Sequence, residues 1–257
     1  MNVLVCVKRV PDVSGEVLLS EDAQSVDARY VGFTLSEHES CAVELAVQVA
    51  GATEGQAVVA TVGAPEAVEQ LRTALGVGCT GAVLVEADPV ALGPVDVARE
   101  LAGIVEDHAA AGASYDLVLL GNDAADSGDF QVAVRLADLL GRPVVTGMQR
   151  IQVGASGEGS VRLRGEGPDG VETYEVPLPA VVSVLEGGVE PRYPTITGRM
   201  KAKKVPVETR QAGAATGSGR TRLTLPPPTP SSVEVLGEGP GTAKVVVDLL
   251  QRLGVTR

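Results

Sequence analysis

The residues best placed to do chemistry lie just after the apolar run Leu117-Val118-Leu119-Leu120, which has the length of a buried strand. Gly121 follows, where such a strand would leave its sheet, and residues 122–129, NDAADSGD, form a loop of Asp, Ser and Gly. Val132, Leu136, Leu139 and Leu140 then recur at helical spacing, and Gly141 stops the helix before Pro143. A loop at the carboxyl end of a strand that opens a helix offers unpaired backbone N–H groups and the positive end of a dipole, so phosphate is its natural guest. The same residues also read as an ordinary strand–helix connection with an Asp cap. Asp123, Asp126 and Asp129 are spaced like part of a calcium loop, but Gly128 is misplaced and the closing bidentate Glu is missing, so no metal site is expected.

A second cluster is basic. Arg199, Lys201, Lys203 and Lys204 stand together in a chain of formal net charge -12. They are interleaved with Ile196 and Met200 and preceded by the stiff turn Pro191-Arg192-Tyr193-Pro194. A charge run is most often a solvated loop. Apolar side chains beside Lys and Arg on a stiff loop instead favour a protein-docking element.

Other chemistries lack their residues. There is no G-x-G-x-x-G after the first strand, no Walker A loop and no G-x-S-x-G elbow. An adenylate-forming ligase would need a Ser/Gly phosphate motif where Lys8-Arg9-Val10-Pro11 stands. With only two histidines, His38 and His108, imidazole catalysis is not expected. Cys6, Cys41 and Cys79 show no C-x-x-C spacing, so a disulfide framework is not expected and a reducing cytoplasm is. The acidic balance argues against general nucleic-acid binding and against an anionic membrane surface. No apolar run approaches the roughly 18 residues of a spanning helix, so no membrane insertion is expected. The start, MNVLVCVKRVPD, has no basic n-region or long h-region and reads as a first strand rather than a signal peptide.

The elements that must position these residues alternate. Strands are expected at 3–7, 58–62, 82–85 and 117–120, and helices from Ser40 to Gly51, from Pro65 to Leu75 and from Pro94 to Val105. Residues 13–35 read as a hairpin or an irregular excursion. This rhythm predicts an α/β fold, a mostly parallel sheet with helices on both faces. A strand begins at Val144-Val145. The pattern then changes to short segments at 149–153, 160–164 and 172–176, an antiparallel meander, before Ala180–Val184 rejoins the main sheet. Residues 187–204 are expected to be a loop, 210–221 a flexible linker, Pro226–Pro228 extended, and 242–253 a helix. The expected division is a domain over 1–209 and a C-terminal arm over 210–257.

These pieces resemble the β subunit of electron-transfer flavoprotein. The likeness is carried by VLVCVKRVPD at 3–12, by GNDAADSGDFQVAVRLADLLGRP at 121–143 and by EPRYPTITGRMKAKKVPVE at 190–208. VELAVQ at 43–48, LRTALGVG at 71–78 and LPAVVSV at 178–184 support it, and the register runs through roughly residues 1–208. The resemblance implies a Rossmann-like sheet of the adenine-nucleotide-binding type and a heterodimer whose α subunit holds most of a redox-active FAD. It implies AMP in a pocket of this chain, or a second FAD in bifurcating members. It also implies a flavoprotein dehydrogenase of the acyl-CoA dehydrogenase kind as donor, a quinone oxidoreductase as acceptor, and no acid–base or nucleophilic step on this chain. By position in those motifs, Cys6 and Val62 fall at backbone contacts to the nucleotide. Asp126, Ser127, Gly128, Gln131, Val132, Ala133 and Val134 fall on its phosphate loop and first helical turn. Ile196 falls at the hydrophobic anchor of a recognition loop spanning 190–204, with Arg199 and Met200-Lys201-Ala202-Lys203-Lys204 at its basic end. The chain departs from the family at Phe130, where a small residue is usual, at Ala133 for Gly, at Ser36 for Asn, and in the Pro-rich stretch 226–230. The Phe130 ring either fills the phosphate site or tilts outward and covers it. The alternative to this reading is a stand-alone adenine-nucleotide-binding regulatory domain of the universal-stress type, which would not need the basic loop.

Overall fold

The computed structural model describes residues 1–15, 17–154, 159–217, 219, 221–227 and 233–255. Pro228 and Pro230 of the Pro-rich stretch, and Ser218 and Arg220 of the expected linker, lie outside the described residues. The elements in order are β1 Val3–Cys6, β2 Val10–Pro11, β3 Phe33–Thr34, α1 Glu37–Ala52, β4 Ala57–Gly63, α2 Val68–Val77, β5 Gly81–Glu86, α3 Pro94–Ala110 and β6 Leu117–Gly121. They continue as α4 Val132–Leu140, β7 Val144–Val153, β8 Ser160–Gly167, β9 Gly170–Pro177, β10 Ala180–Val184, α5 Ile196–Ala202, β11 Val207–Gln211 and α6 Ala243–Arg252.

Nine strands form one sheet in the order β11-β5-β4-β1-β6-β10-β7-β8-β9. The pairs from β11 through to β7 are parallel, and β7–β8 and β8–β9 are antiparallel. Strands buried on both faces need apolar residues throughout, and β1, VLVC, is buried at every position. Its Val3 and Val5 face a core shared with α1 and α2, through Leu45, Val49 and Leu71. Its Leu4 and Cys6 face a second core shared with α3 and α4, through Leu101, Ile104 and Leu136. Each fully buried Leu or Val contributes about 1.5–3 kcal/mol, so the two cores fix the helices on opposite faces as the alternation predicts. From β1 the chain winds one way to β4 and β5, then returns to place β6 on the other side of β1. The switch in winding direction therefore lies between β1 and β6, where an open α/β sheet binds ligands.

Several local expectations change. Residues 37–39, expected to precede the helix, are the first turn of α1, because Ser36 and Glu39 close a capping box. The expected breaks after Val145 disappear: β7 is one strand over Val144–Val153, with a register shift between Met148 and Arg150 that bends it out of the parallel sheet and into the meander. The expected loop 187–204 contains α5, N-capped by the Thr195 hydroxyl, which accepts from Gly198 N at 3.0 Å. Seven residues are too few for the hydrophobic period to show. Strand β11 was not anticipated. It is the edge neighbour of β5, and its VETRQ alternation carries little apolar signal. Residues 13–35 are an excursion held by β2–β3 and a Leu19–Val26 bridge.

The chain forms two compact units, Met1–Leu223 and Thr224–Arg257. The first contains the whole sheet. Within it, residues 212–216 follow the sheet edge: Gly213 N donates to Glu100 Oε1 at 3.0 Å, and Thr216 N donates to Asp96 Oδ1 at 2.9 Å. The second contains α6, which buries none of its residues.

Candidate functional site

The switch point brings together the ends of β1, β4 and β6 and the starts of α1 and α4. Helix α1 crowds the end of β6 so closely that a Cβ on Gly121 would lie 2.9 Å from Glu39 Cγ, so only glycine fits there. Its first turn is closed off. Glu39 Oε2 accepts from Ser36 N at 2.9 Å and from Ser36 Oγ at 2.8 Å, and Glu39 Oε1 accepts from Lys8 N at 2.6 Å. Burial raises the Glu39 carboxyl above its ordinary range, against these hydrogen bonds.

Helix α4 is left open. Asp129 Oδ1 accepts from Gln131 N at 2.8 Å, and the N–H groups of Val132, Ala133 and Val134 find no acceptor among the described residues. These are the orphan donors of a helix start, aimed where an anion would sit. The loop before them is a closed turn: Ala124 pairs with Asp129, and Gly128 N donates to Ala124 O at 2.7 Å. Gly128, at φ 64°, has open space where a side chain would be. The acids around the opening are engaged. Lys8 Nζ bridges across the crevice to Asp126 Oδ1 at 2.6 Å, and His38 Nδ1 meets Asp123 Oδ1 at 2.8 Å while its Nε2 meets Glu186. A phosphate thus finds open N–H groups and one lysine, and the residues fit such a group. The Phe130 side chain is 60% exposed, so it is not buried in the loop. The loop is anchored from behind, where Asn122 Oδ1 accepts from the buried Ser183 hydroxyl at 2.8 Å.

Cys6, Val62 and Ala133 pack in the layer between the sheet and α3/α4, on the face from which α4 rises. Cys6 and Ala133 are buried, so only their backbone is available at the crevice. Burial also raises the Cys6 thiol, keeping it neutral. Asp126, Ser127, Gly128, Gln131 and Val134 are exposed around the opening, and Val132 is half-buried.

The basic cluster lies elsewhere, on α5, which is bolted to its neighbours. A Cβ on Gly76 of α2 would lie 2.9 Å from Pro194 Cβ, and one on Gly198 would strike the Gly76 carbonyl. Arg72 Nη1 caps the far end of α5, donating to the carbonyls of Ala202 and, at 2.6 Å, Val205. Arg192 holds the approach: its Nε donates to Glu44 Oε2 at 2.8 Å and its Nη2 to Glu44 Oε1 at 2.5 Å. Glu44 is buried on α1. Burial would raise its carboxyl, but the bonds from Arg192 and Gln48 more than offset this and hold it below its ordinary range. Despite this backing, Ile196 is 81% exposed, Met200 63% and the preceding Tyr193 90%. Arg199, Lys201, Lys203 and Lys204 are exposed beside them.

The electron transfer flavoprotein domain model matches residues 25–215, well over half of the chain. The chain belongs to the electron transfer flavoprotein β-subunit family. It is 33% identical over 240 residues to a β subunit from Syntrophomonas wolfei, covering 93% of this chain and 91% of that one. It is 33% identical to the Bacillus subtilis β subunit over 81% of this chain and 78% of that one, and 34% identical to the human β subunit over 83% and 82%. Membership sets aside the stand-alone regulatory domain. An electron transfer flavoprotein β subunit is an electron-transfer protein with an α partner, and no helix among the described residues is long and apolar enough to cross a membrane.

Sequence reasoning missed Lys8, His38, Arg72, Glu44 and Arg192 as positioning groups. Ser36-x-x-Glu39 carried a readable capping signature. The Glu44–Arg192 pair spans 148 positions and left no local signal.

Proposed function

We propose that this chain is the β half of a heterodimer that takes electrons from a flavoprotein dehydrogenase and delivers them to a quinone oxidoreductase or similar acceptor. The α subunit holds most of the FAD, which when bound supplies the one-electron chemistry. This chain binds, orients and docks. The crevice at Lys8, Val62 and Asp126–Val134 takes AMP, or a second FAD in a bifurcating protein. The open N–H groups of Val132, Ala133 and Val134 receive the phosphate, with Lys8 released from Asp126 toward it. Cys6 and Val62 flank the nucleotide with backbone. The second compact unit, Thr224–Arg257, serves as an arm against the α subunit. Three buried free thiols suit a reducing cytoplasm.

The observation that carries the reading is α5, a short helix backed by Arg72 and Arg192 yet presenting Ile196 and Met200 bare among four cations. Structure for its own sake would bury those side chains. The test is co-expression with the α subunit, followed by denaturation and analysis of the released small molecules. One FAD with one AMP per heterodimer is expected. A second FAD instead of AMP assigns the bifurcating variant. Absence of any adenine nucleotide beyond the first FAD overturns the crevice assignment, and stoichiometric active FAD on this chain alone overturns the division of labour.

A further inference from the structure

We propose that His38 is a positioning residue for the nucleotide: its charged ring, wedged between Asp123 and Glu186, holds the loop at 122–129 in place and offsets the acids beside the crevice, so AMP binds less tightly once the ring loses its proton. The proposal rests on the reading of the crevice as a nucleotide site. Strands β6 and β10 are parallel neighbours, with Gly121 level with Val184. Asp123 and Glu186, each two residues further on, therefore leave the sheet side by side and bring two carboxylates to one edge of the crevice. The His38 ring separates them. Its Nδ1 lies 2.8 Å from Asp123 Oδ1, and its Nε2 meets Glu186 Oε2 on the other side. A neutral imidazole carries a lone pair on one of its two nitrogens, which here would face a carboxylate oxygen; only the doubly protonated ring suits both neighbours. The His38 side chain is 19% exposed and that of Asp123 22%, so solvent screens the pair only in part.

Helix α1 itself gains nothing from a cation there. His38 stands in its first turn, where the dipole disfavours positive charge. What the position provides is reach into the loop. A Cβ on Gly121 would lie 3.3 Å from His38 Cβ, so the base of the side chain sits against the exit of β6. Asn122 is already tied to β10, its N–H donating to Val184 O at 2.9 Å and its Oδ1 accepting from the Ser183 hydroxyl. Asp123 is the next link, just before the closed turn at 124–129 and the open N–H groups of α4. The other charges around the ring are Glu37 and Glu39 on its own helix, the latter turned to Ser36 and Lys8 N, and the Lys8–Asp126 pair across the opening. Strand β7, which also packs on α1, presents the apolar Met148. With Lys8 drawn to a phosphate, Asp126 loses its partner, and a neutral His38 would add Asp123 and Glu186 to the uncompensated acids beside the anion.

The experiment uses the co-expressed heterodimer and measures its affinity for AMP from about pH 6 to about pH 8.5, across the range in which imidazole ordinarily changes charge. A phosphate monoester gains its second charge in the same range, so the reference is H38K, whose cation persists throughout. Wild type is expected to match H38K at the acidic end and to bind about tenfold more weakly than it at the alkaline end. H38Q is expected to bind about tenfold more weakly than wild type at the acidic end, with a profile parallel to that of H38K. E186Q, at an exposed position, gives a second reading. Its amide can donate to the lone pair of a neutral ring, so affinity should stay while the pH dependence shrinks. The α-subunit FAD absorbance and the urea midpoint are followed in each variant to establish assembly and folding; if H38Q does not assemble, wild type, H38K and E186Q still decide. Parallel profiles for wild type and H38K overturn the proposal, because His38 would then be a structural post. So does AMP binding by H38Q equal to that of wild type, or an E186Q that keeps the full pH dependence. These outcomes leave the crevice reading standing; a wild-type heterodimer that binds no adenine nucleotide at any pH overturns the two together.

Discussion

At the scale of single residues, Ile196 and the cations around it have separable roles. A buried aliphatic anchor is worth roughly 1.5–3 kcal/mol of transfer free energy. Ile196→Ala should therefore weaken docking by about one to two decades without changing its salt dependence or the flavin spectrum. Lys203 and Lys204 are exposed rim charges, so changing both to Gln should slow association mainly at low ionic strength. Electron transfer from the dehydrogenase at sub-saturating protein, measured against salt, separates the two; wild-type transfer by Ile196→Ala would reduce α5 to a solvated turn. Glu44 acts through Arg192. Because Arg192 is itself exposed, Glu44→Gln should cost only about 1–2 kcal/mol of stability, but it releases the approach to α5, so KM for the dehydrogenase should rise while kcat and bound nucleotide stay put. Asp96 supplies a pH dependence. The N–H groups of Gly93 and Thr216, with the Thr216 hydroxyl, hold its carboxyl well below the usual range. A folded-state value below the unfolded one, about 3.9, stabilises fully above that value and is lost as pH falls through it toward the folded one. Wild type should therefore have a higher urea midpoint than Asp96→Asn at neutral pH, and the gap should close on acidification.

At the scale of elements, the contrast between α1 and α4 is what the proposed anion site rests on. Both helices begin at the switch point. The start of α1 is occupied by Glu39 and sealed by its own capping box, whereas α4 has three first-turn N–H groups without acceptors and a lysine within reach. Lys8→Gln removes both the bridge to Asp126 and a cation beside the loop. Heterodimer carrying it should retain FAD on the α subunit but lose most of its AMP; full AMP occupancy would show that the N–H groups alone suffice. The strands and helices that set this contrast were legible, because β1, β4, β5, β6 and β10 are short apolar runs and α1 to α4 carry periodic apolar faces. What escaped was of two kinds. Short elements such as α5 and β11 are fixed by neighbours, α5 by Arg72 and the glycine contact with α2, β11 by the edge of β5. Pairings such as Lys8–Asp126 and Glu44–Arg192 join residues far apart in the chain, where hydrophobic period carries no information. The loop at 122–129 was readable as a strand–helix turn, since its glycine and the apolar run before it are local, but the fates of Phe130 and Ala133 depended on which way each side chain turned.

At the scale of the whole molecule, the sheet, both cores, the crevice and α5 all lie within Met1–Leu223, while Thr224–Arg257 contributes α6 and no buried residue among those described. Helix α6 is amphipathic in sequence, with Val246, Leu249, Leu250 and Leu253 recurring at helical spacing, and Leu253 is 66% exposed. An apolar stripe of that kind forms a stable short helix only when a partner covers it. If the arm is what the partner covers, folding and assembly should depend on different parts of the chain. Truncation after Leu223 removes no strand and no core side chain, so the shortened chain should keep the urea midpoint of the full one. It should also keep the Asp96–Thr216 tether, which precedes the cut. Its heterodimer with the α subunit should dissociate on dilution where the full-length one does not, because the helix that the partner would cover is gone. Sedimentation of both complexes at matched concentrations, alongside urea melts of both chains alone, reads the two properties independently. Equal dissociation would remove the arm from the interface, and a lower midpoint for the truncated chain alone would make residues 224–257 part of the fold instead.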